Sequence, residues 1–276
     1  MSFDWVDQVA FFWNPALQLD YPHPGRASSY RHHGDYLHMV PAHLLGAFRP
    51  PSGDLPSPHL IQTVAFEGRA PLTTTFVTHH RAHAAVAFFP SPFEEAAVLT
   101  VDGFGERVST TIGAWRKTGA RWTYEERETV RVPQSLGSFY AAITAWLGFR
   151  PNSGEGKVMG LAPYGDDRLV ARFREILGTA PGGDAERPFE LDMRLFEHSL
   201  DTPARLSERF LREFGPPVSP AREHNAHERA VAFAAQAVTE EALLGLAKRA
   251  ARLTGLPNLV LAGGVAMNSV ANGRLE

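Results

Sequence analysis

The 276-residue sequence has no cysteine, which removes disulfide frameworks, thiolate zinc sites, iron–sulfur clusters and cysteine nucleophiles from consideration. It also lacks an excess of either charge: 27 basic residues stand against 30 acidic ones, a net of −3. Nothing in that balance would hold a nucleic-acid backbone, and no nucleic-acid partner is expected. No apolar run approaches the roughly 18 residues of a membrane span. The opening MSFDWVDQVAFFWNP carries acids where a signal peptide needs bases. A cytoplasmic enzyme without membrane contact is therefore the expectation. Lysine is scarce as well: only Lys117, Lys157 and Lys248 occur, the other basic residues being arginine. We read this as compositional bias, although it draws attention to each lysine.

What is present is enough for a sizeable core, with 44% hydrophobic residues. Breaker-rich stretches at 49–57, 178–188 and 215–221 read as surface connections within one unit, and no repeat is evident. Apolar patterning predicts a short strand over 9–13, a helix over 40–48 and a β-branched strand over 73–78. An alanine-rich helix then covers 80–89. Strands over 96–101, 110–115 and 121–132 with tight links predict an antiparallel meander. Helices are expected over 135–147, 167–177, 203–214 and 224–253, the last with Glu228, Glu240 and Glu241 ahead of Lys248, Arg249 and Arg252, as the helix dipole favours. A buried strand over 258–262, a Gly263–Gly264 turn and a helix from Val265 close the chain. The order is mixed α/β.

Four constellations carry chemistry. In THHRAHAAVAFF, a helix starting with Thr78 as N-cap puts His79 and His83 on one face, where two imidazoles can bind one metal ion; His80 points elsewhere. The alternative is a helix edge with solvated histidines. In AAVLTVDGFGE, an apolar strand ends at Asp102, whose carboxylate can face a metal, or a phosphate through one; the alternative is an ordinary Asp-Gly hairpin turn. In NSGEGKVMGLAPYG, Gly154, Glu155, Gly156 and Lys157 suggest a backbone cradle for an anion, or else a glycine turn entering a short helix with Lys157 on the surface. In LVLAGGVAMNSVANGRL, a strand, turn and helix start can meet a phosphate or nucleotide, with Asn268 and Asn272 on one face. His32, His33, His38 and His43 read as solvated or capping residues, and Trp115, Trp122 and Trp146 as core.

Together and in this order, HHRAHAAVAFF, VLTVDGFGE, GEGKVMGLAPYG and LAGGVAMNSVANGRL resemble the O-carbamoyltransferases of nodulation-factor and antibiotic biosynthesis. The same lobe is similar to the tRNA threonylcarbamoylation proteins, which share the HxxxH and GGVxxN elements. The resemblance implies an actin-like ATPase (ribonuclease H-like) α/β fold, with 1–93 as the remainder of a first lobe and 94–276 as most of a second. It implies Fe2+ or another divalent metal held by His79, His83 and Asp102. It also implies ATP or carbamoyl-adenylate near Gly263, Gly264 and Asn268, with the loop of Gly154, Glu155, Gly156 and Lys157 close by. Carbamoyl phosphate would be the donor, and the hydroxyl of a small molecule or sugar the acceptor. Set against the family, the chain looks truncated at both ends, lacking an early strand, a later aspartate and the adenylate-forming domain, which would act in cis or in trans. Two alternatives accompany this reading: an inactive nucleotide-binding or scaffolding subunit, and a sugar-kinase-like ATPase.

Overall fold

Burial along Glu95–Gly105 is continuous from Ala96 to Val101, the pattern of a strand covered on both faces rather than one. The computed structural model describes residues 5–14, 59–64, 72–184, 186–199 and 202–275. Its strands are β1 (Gln8–Phe11), β2 (His59–Val64), β3 (Leu72–Val77), β4 (Glu95–Gly105), β5 (Val108–Thr118), β6 (Arg121–Arg131), β7 (Phe196–Ser199), β8 (Thr202–Leu206) and β9 (Leu259–Ala262). Its helices are α1 (His79–Phe88), α2 (Leu136–Trp146), α3 (Glu155–Leu161), α4 (Val170–Leu177), α5 (Glu208–Phe214), α6 (Ala226–Thr254) and α7 (Ser269–Asn272).

The strands make three sheets, ordered β1-β3-β2, β6-β5-β4-β9 and β7-β8. The expected meander is present, since β4–β5 and β5–β6 pair antiparallel, and β9 returns parallel to β4 after the helices. Side chains alternate across β4. Ala96 and Val98 pack with Ala84 and Phe88 of α1, and with Trp115 and Val260, on one face. Ala97, Leu99 and Val101 join the large cluster formed with α2, α4 and α6 on the other. A mixed α/β architecture results, with the central sheet between two helical layers. Helix α1 belongs by packing to this sheet, although it follows the strands of the first one.

The long helix was legible because its ends are marked. Asn225 and Glu228 form a capping box, and Gly255 closes the helix in the left-handed conformation. By length and composition α6 could cross a membrane, with a best-window mean hydropathy of 1.3, yet 72% of that window is buried inside the protein. It is the core helix, and a more apolar run than sequence inspection allowed.

Several expectations need correction. The helix expected over 203–214 is a strand, β8, followed by the shorter α5, because Ser207 caps the helix start by accepting from Phe210 N. Trp122 is 39% exposed, since β6 is an edge strand with no neighbour beyond it among the described residues, whereas Trp115 and Trp146 are core. The helix from Val265 is a 3-10 turn (Gly264–Met267) and then only the four-residue α7. Strand β4 continues past Asp102 to Gly105. The helix expected over 40–48 and His32, His33, His38 and His43 lie outside the described residues.

One buried polar group ties α1 to the sheet. His80 is 4% exposed. Its Nε2–H donates to Val108 O at 2.9 Å, and its Nδ1 meets Thr100 Oγ1 at 2.7 Å, itself 2.7 Å from Thr111 Oγ1. Burial lowers its pKa to about 4, so the ring is neutral and its two nitrogens are both used. Between pH 6.5 and 4 the unfolded chain takes up a proton that the folded chain refuses. The stabilisation is therefore complete above pH 6.5 and lost as pH falls toward 4. Denaturant titrations should show the wild type losing ~3 kcal/mol more than His80→Asn over that interval; equal losses would refute the assignment.

Candidate metal centre and adjoining cleft

Helix α1 begins where Thr78 was expected to cap it, but the Thr78 side chain makes no capping bond. The acceptor comes from 27 residues further on: both carboxylate oxygens of Glu106 receive His79 N, at 3.1 and 3.2 Å. Oε1 of Glu106 also accepts from Asn14 N at 2.7 Å. The helix start is thereby pinned to the β4–β5 hairpin, and one turn of helix brings His79 and His83 to the same side, their ring centroids 4.4 Å apart.

Asp102 meets them from β4. The strand's register breaks between Val101 and Gly105, and such an irregularity re-aims side chains that a regular strand would alternate. Its Oδ2 accepts from His79 Nε2 at 3.0 Å and from His83 Nε2 at 2.9 Å. Oδ1 accepts from Gly103 N at 2.7 Å. Burial raises the Asp102 pKa, but the two imidazoles and the Gly103 N–H outweigh it and hold the carboxyl well below the usual carboxylate range. Ser135, at the start of α2, donates its hydroxyl to Gly103 O at 2.6 Å and so clamps the same segment from the helix side.

The three side chains offer one donor atom each, all within 4.8 Å of one another. Two imidazole nitrogens and a carboxylate oxygen suit zinc, iron or another first-row divalent ion. The donor set and its burial, with side-chain exposures of 14% for His79, 29% for His83 and 20% for Asp102, fit a partly shielded centre. His79 is further fixed by Trp13, whose ring centroid lies 5.2 Å away. Its Nδ1 is buried without a hydrogen-bond partner among the described residues, unlike most ligating histidines, whose second nitrogen is held. Glu106, 5% exposed, is pushed by burial up to about 7, with the N–H groups of Asn14 and His79 pulling the other way.

Asp102 also lines a cleft of about 470 Å³, together with Gly137, Tyr140, Glu155, Gly156, Gly264 and Asn268. The volume lies in the range of small-molecule sites. A side chain on Gly264 would come within 2.9 Å of Asp102 Oδ1, so the glycine turn abuts the carboxylate. The structure thus gathers parts of all four sequence constellations around one carboxylate. Gly154, Lys157 and Gly263 stand back from the cleft wall. Gly154 occupies the N-cap position of α3, and Lys157 Nζ sits 5.7 Å from the Phe149 ring.

Asn268 reaches the cleft with its amide already engaged. Its Oδ1 accepts from Gln236 Nε2 and Ala271 N, both at 3.1 Å, and its Nδ2 donates to Gln236 Oε1 at 3.0 Å. Gln236 Oε1 also accepts from Tyr140 at 2.8 Å, whose phenol burial raises above its ordinary range. Asn268 thus shapes the cleft floor. Asn272 Nδ2 instead bonds Ala266 O at 2.7 Å. Sequence reading missed Glu106, Tyr140 and Gln236; the only local signal was the acidic residue closing the DGFGE turn.

Residues 62–276 match the family described as carbamoyltransferase N-terminus. An uncharacterized protein of Synechocystis sp. is 43% identical over 201 residues, which is 72% of this chain and 31% of that protein. The nodulation protein NolNO of Sinorhizobium fredii is 31% identical over 211 residues, 74% of this chain and 27% of that one. The nodulation protein NolO of Bradyrhizobium diazoefficiens is 33% identical over 205 residues, 72% and 33% respectively. The chain belongs to the carbamoyltransferase family and spans about a third of the length of these relatives.

The centre's rigidity can be probed at Gly105. A Cβ there would come within 2.5 Å of both Cβ and Cδ2 of His79, so Gly105→Ala must displace that ring. Equilibrium titration with Zn2+ should show affinity reduced by about tenfold or more relative to wild type; an unchanged affinity would mean that the ring is not a ligand.

Proposed function

We propose that this chain is the transfer-active portion of a carbamoyltransferase, moving a carbamoyl group to a hydroxyl of a small molecule or sugar. The observation that carries the reading is Asp102, which holds both imidazoles through one oxygen and also lines the cleft. Family membership supports carbamoyl transfer. The donor we propose is carbamoyl-adenylate, made from carbamoyl phosphate and ATP by a domain in cis or in trans. The fold we propose is actin-like, divided near residue 93 into a partial first lobe that ends with α1 and a second lobe, with the meander and returning parallel strand in its favour.

His79, His83 and Asp102 would hold Fe2+ or another divalent ion, whose chemistry there is Lewis-acid polarisation of a carbonyl or phosphoryl oxygen. The chain's own residues do the rest by position. Asp102 stays ionised across the physiological range, because its imidazole bonds outweigh the penalty of burial. Tyr140 and Gln236 lock Asn268 and keep the cleft floor in one shape. The exposed Met267, beside the largely apolar wall of Met159 and Val265, gives a flat ligand such as a nucleobase a surface to lie on. In the overall reaction the acceptor oxygen bonds to the carbamoyl carbon, the bond from that carbon to the phosphate oxygen breaks, AMP departs, and the hydroxyl proton passes to solvent.

Incubating Fe2+-loaded protein with carbamoyl-adenylate and a panel of alcohols and sugars tests this by mass spectrometry. A carbamate ester should form with the wild type and fall by at least about a hundredfold in His83→Ala, the scale expected when a metal ligand or its support is lost. Nucleotide bound without any ester would favour the scaffolding alternative, and a phosphorylated sugar from ATP the kinase-like one.

A further inference from the structure

Glu106 is a costly residue to keep where it stands. It is buried, carries a carboxyl group, and has φ at 47°, a left-handed backbone that glycine or asparagine adopts far more easily. The hairpin turn alone does not require it, since a glycine would relieve the strain and remove the buried acid together. What the side chain does is receive N–H groups from two distant segments: Asn14, following β1, at 2.7 Å, and His79, the first residue of α1, at 3.1 and 3.2 Å. Thr78 leaves its capping role unfilled, so Glu106 fixes the start of the helix that carries both imidazoles. The preceding residue completes the hold, because the Gly105 backbone packs directly on the side chain of His79. Trp13, next to Asn14 in sequence, also lies against this ring at 5.2 Å and against Phe104 at 6.2 Å. The His79 ring, with no partner at Nδ1 among the described residues, is therefore oriented through its backbone and by packing instead of through a bond to its second nitrogen.

We infer that Glu106 is the positioning residue of the metal centre: it sets the place of His79 through the main chain, doing the work that a hydrogen bond to a ligand's second nitrogen does elsewhere. It touches neither metal nor substrate. The inference rests on His79, His83 and Asp102 being a metal centre, and it predicts that metal affinity and coordination depend on a side chain that donates nothing to the metal.

Glu106→Gln tests it, because the amide has one acceptor oxygen where the carboxylate has two, and its NH2 must face one of the two backbone N–H groups. Titrating wild type and Glu106→Gln with Co2+ alone, and reading the visible d–d bands, should show affinity lower by about tenfold to a hundredfold in the variant, with band positions moved as one imidazole changes its angle. Far-UV circular dichroism shows whether the variant is folded. If it is not, Glu106→Asp, which keeps the charge and shortens the reach, decides by the same two readouts. Folded protein with wild-type affinity and wild-type bands overturns the positioning role, because a contribution to stability alone would leave both unchanged once the chain is folded. Wild-type protein that binds Co2+ no better than His83→Ala overturns the metal centre itself, an outcome distinct from the first.

Discussion

A single carboxylate, that of Asp102, joins what the chain would otherwise keep apart. One of its oxygens takes both imidazoles of α1, at 3.0 and 2.9 Å, and the other is held by Gly103 N beside the Gly264 turn. Residues from three separate segments thus meet at one anion. Such an arrangement is costly without a cationic partner, since burial alone would push the carboxyl toward its neutral form. The imidazoles reverse that tendency, and a divalent ion among the same donor atoms would reverse it further.

The fold serves this meeting point. Strand β4 is covered by α1 on one face and by α2 and α6 on the other, and its register break presents Asp102 at a defined place. Ser135 fastens the break to α2. His80, beside the proposed ligand His79, fastens α1 to β4 and β5 through Thr100 and the Val108 carbonyl. Adjacent histidines therefore divide the labour: one, neutral and buried, holds the helix to the sheet, and the other turns toward the carboxylate.

Local chemistry made much of this legible in the sequence. The four-residue spacing of His79 and His83 needs only a helix to bring them together, and the apolar run before Asp102 needs only a strand to hold it. The meander was readable because β-branched runs alternate with short turns, and α6 because Asn225, Glu228 and Gly255 mark its ends. Interactions over long sequence separation were not readable. Glu106 caps a helix that begins 27 residues before it. Gln236 lies in an apolar helical pattern, and its partners Tyr140 and Asn268 are distant in the chain. Trp122 reads as core until the sheet order shows β6 at the edge, and the strand over 202–206 is set by pairing with β7, which local propensity does not reveal. Asn268, expected near a nucleotide, lines the cleft with its amide already paired to Gln236.

The most direct test of the shared centre is X-ray absorption at the iron K-edge of protein loaded with one equivalent of Fe2+. The account predicts outer-shell scattering from two imidazole rings in the wild type and from one in His83→Ala, with an oxygen ligand lost in Asp102→Ala. An all-oxygen shell that is the same in the wild type and both variants would contradict it.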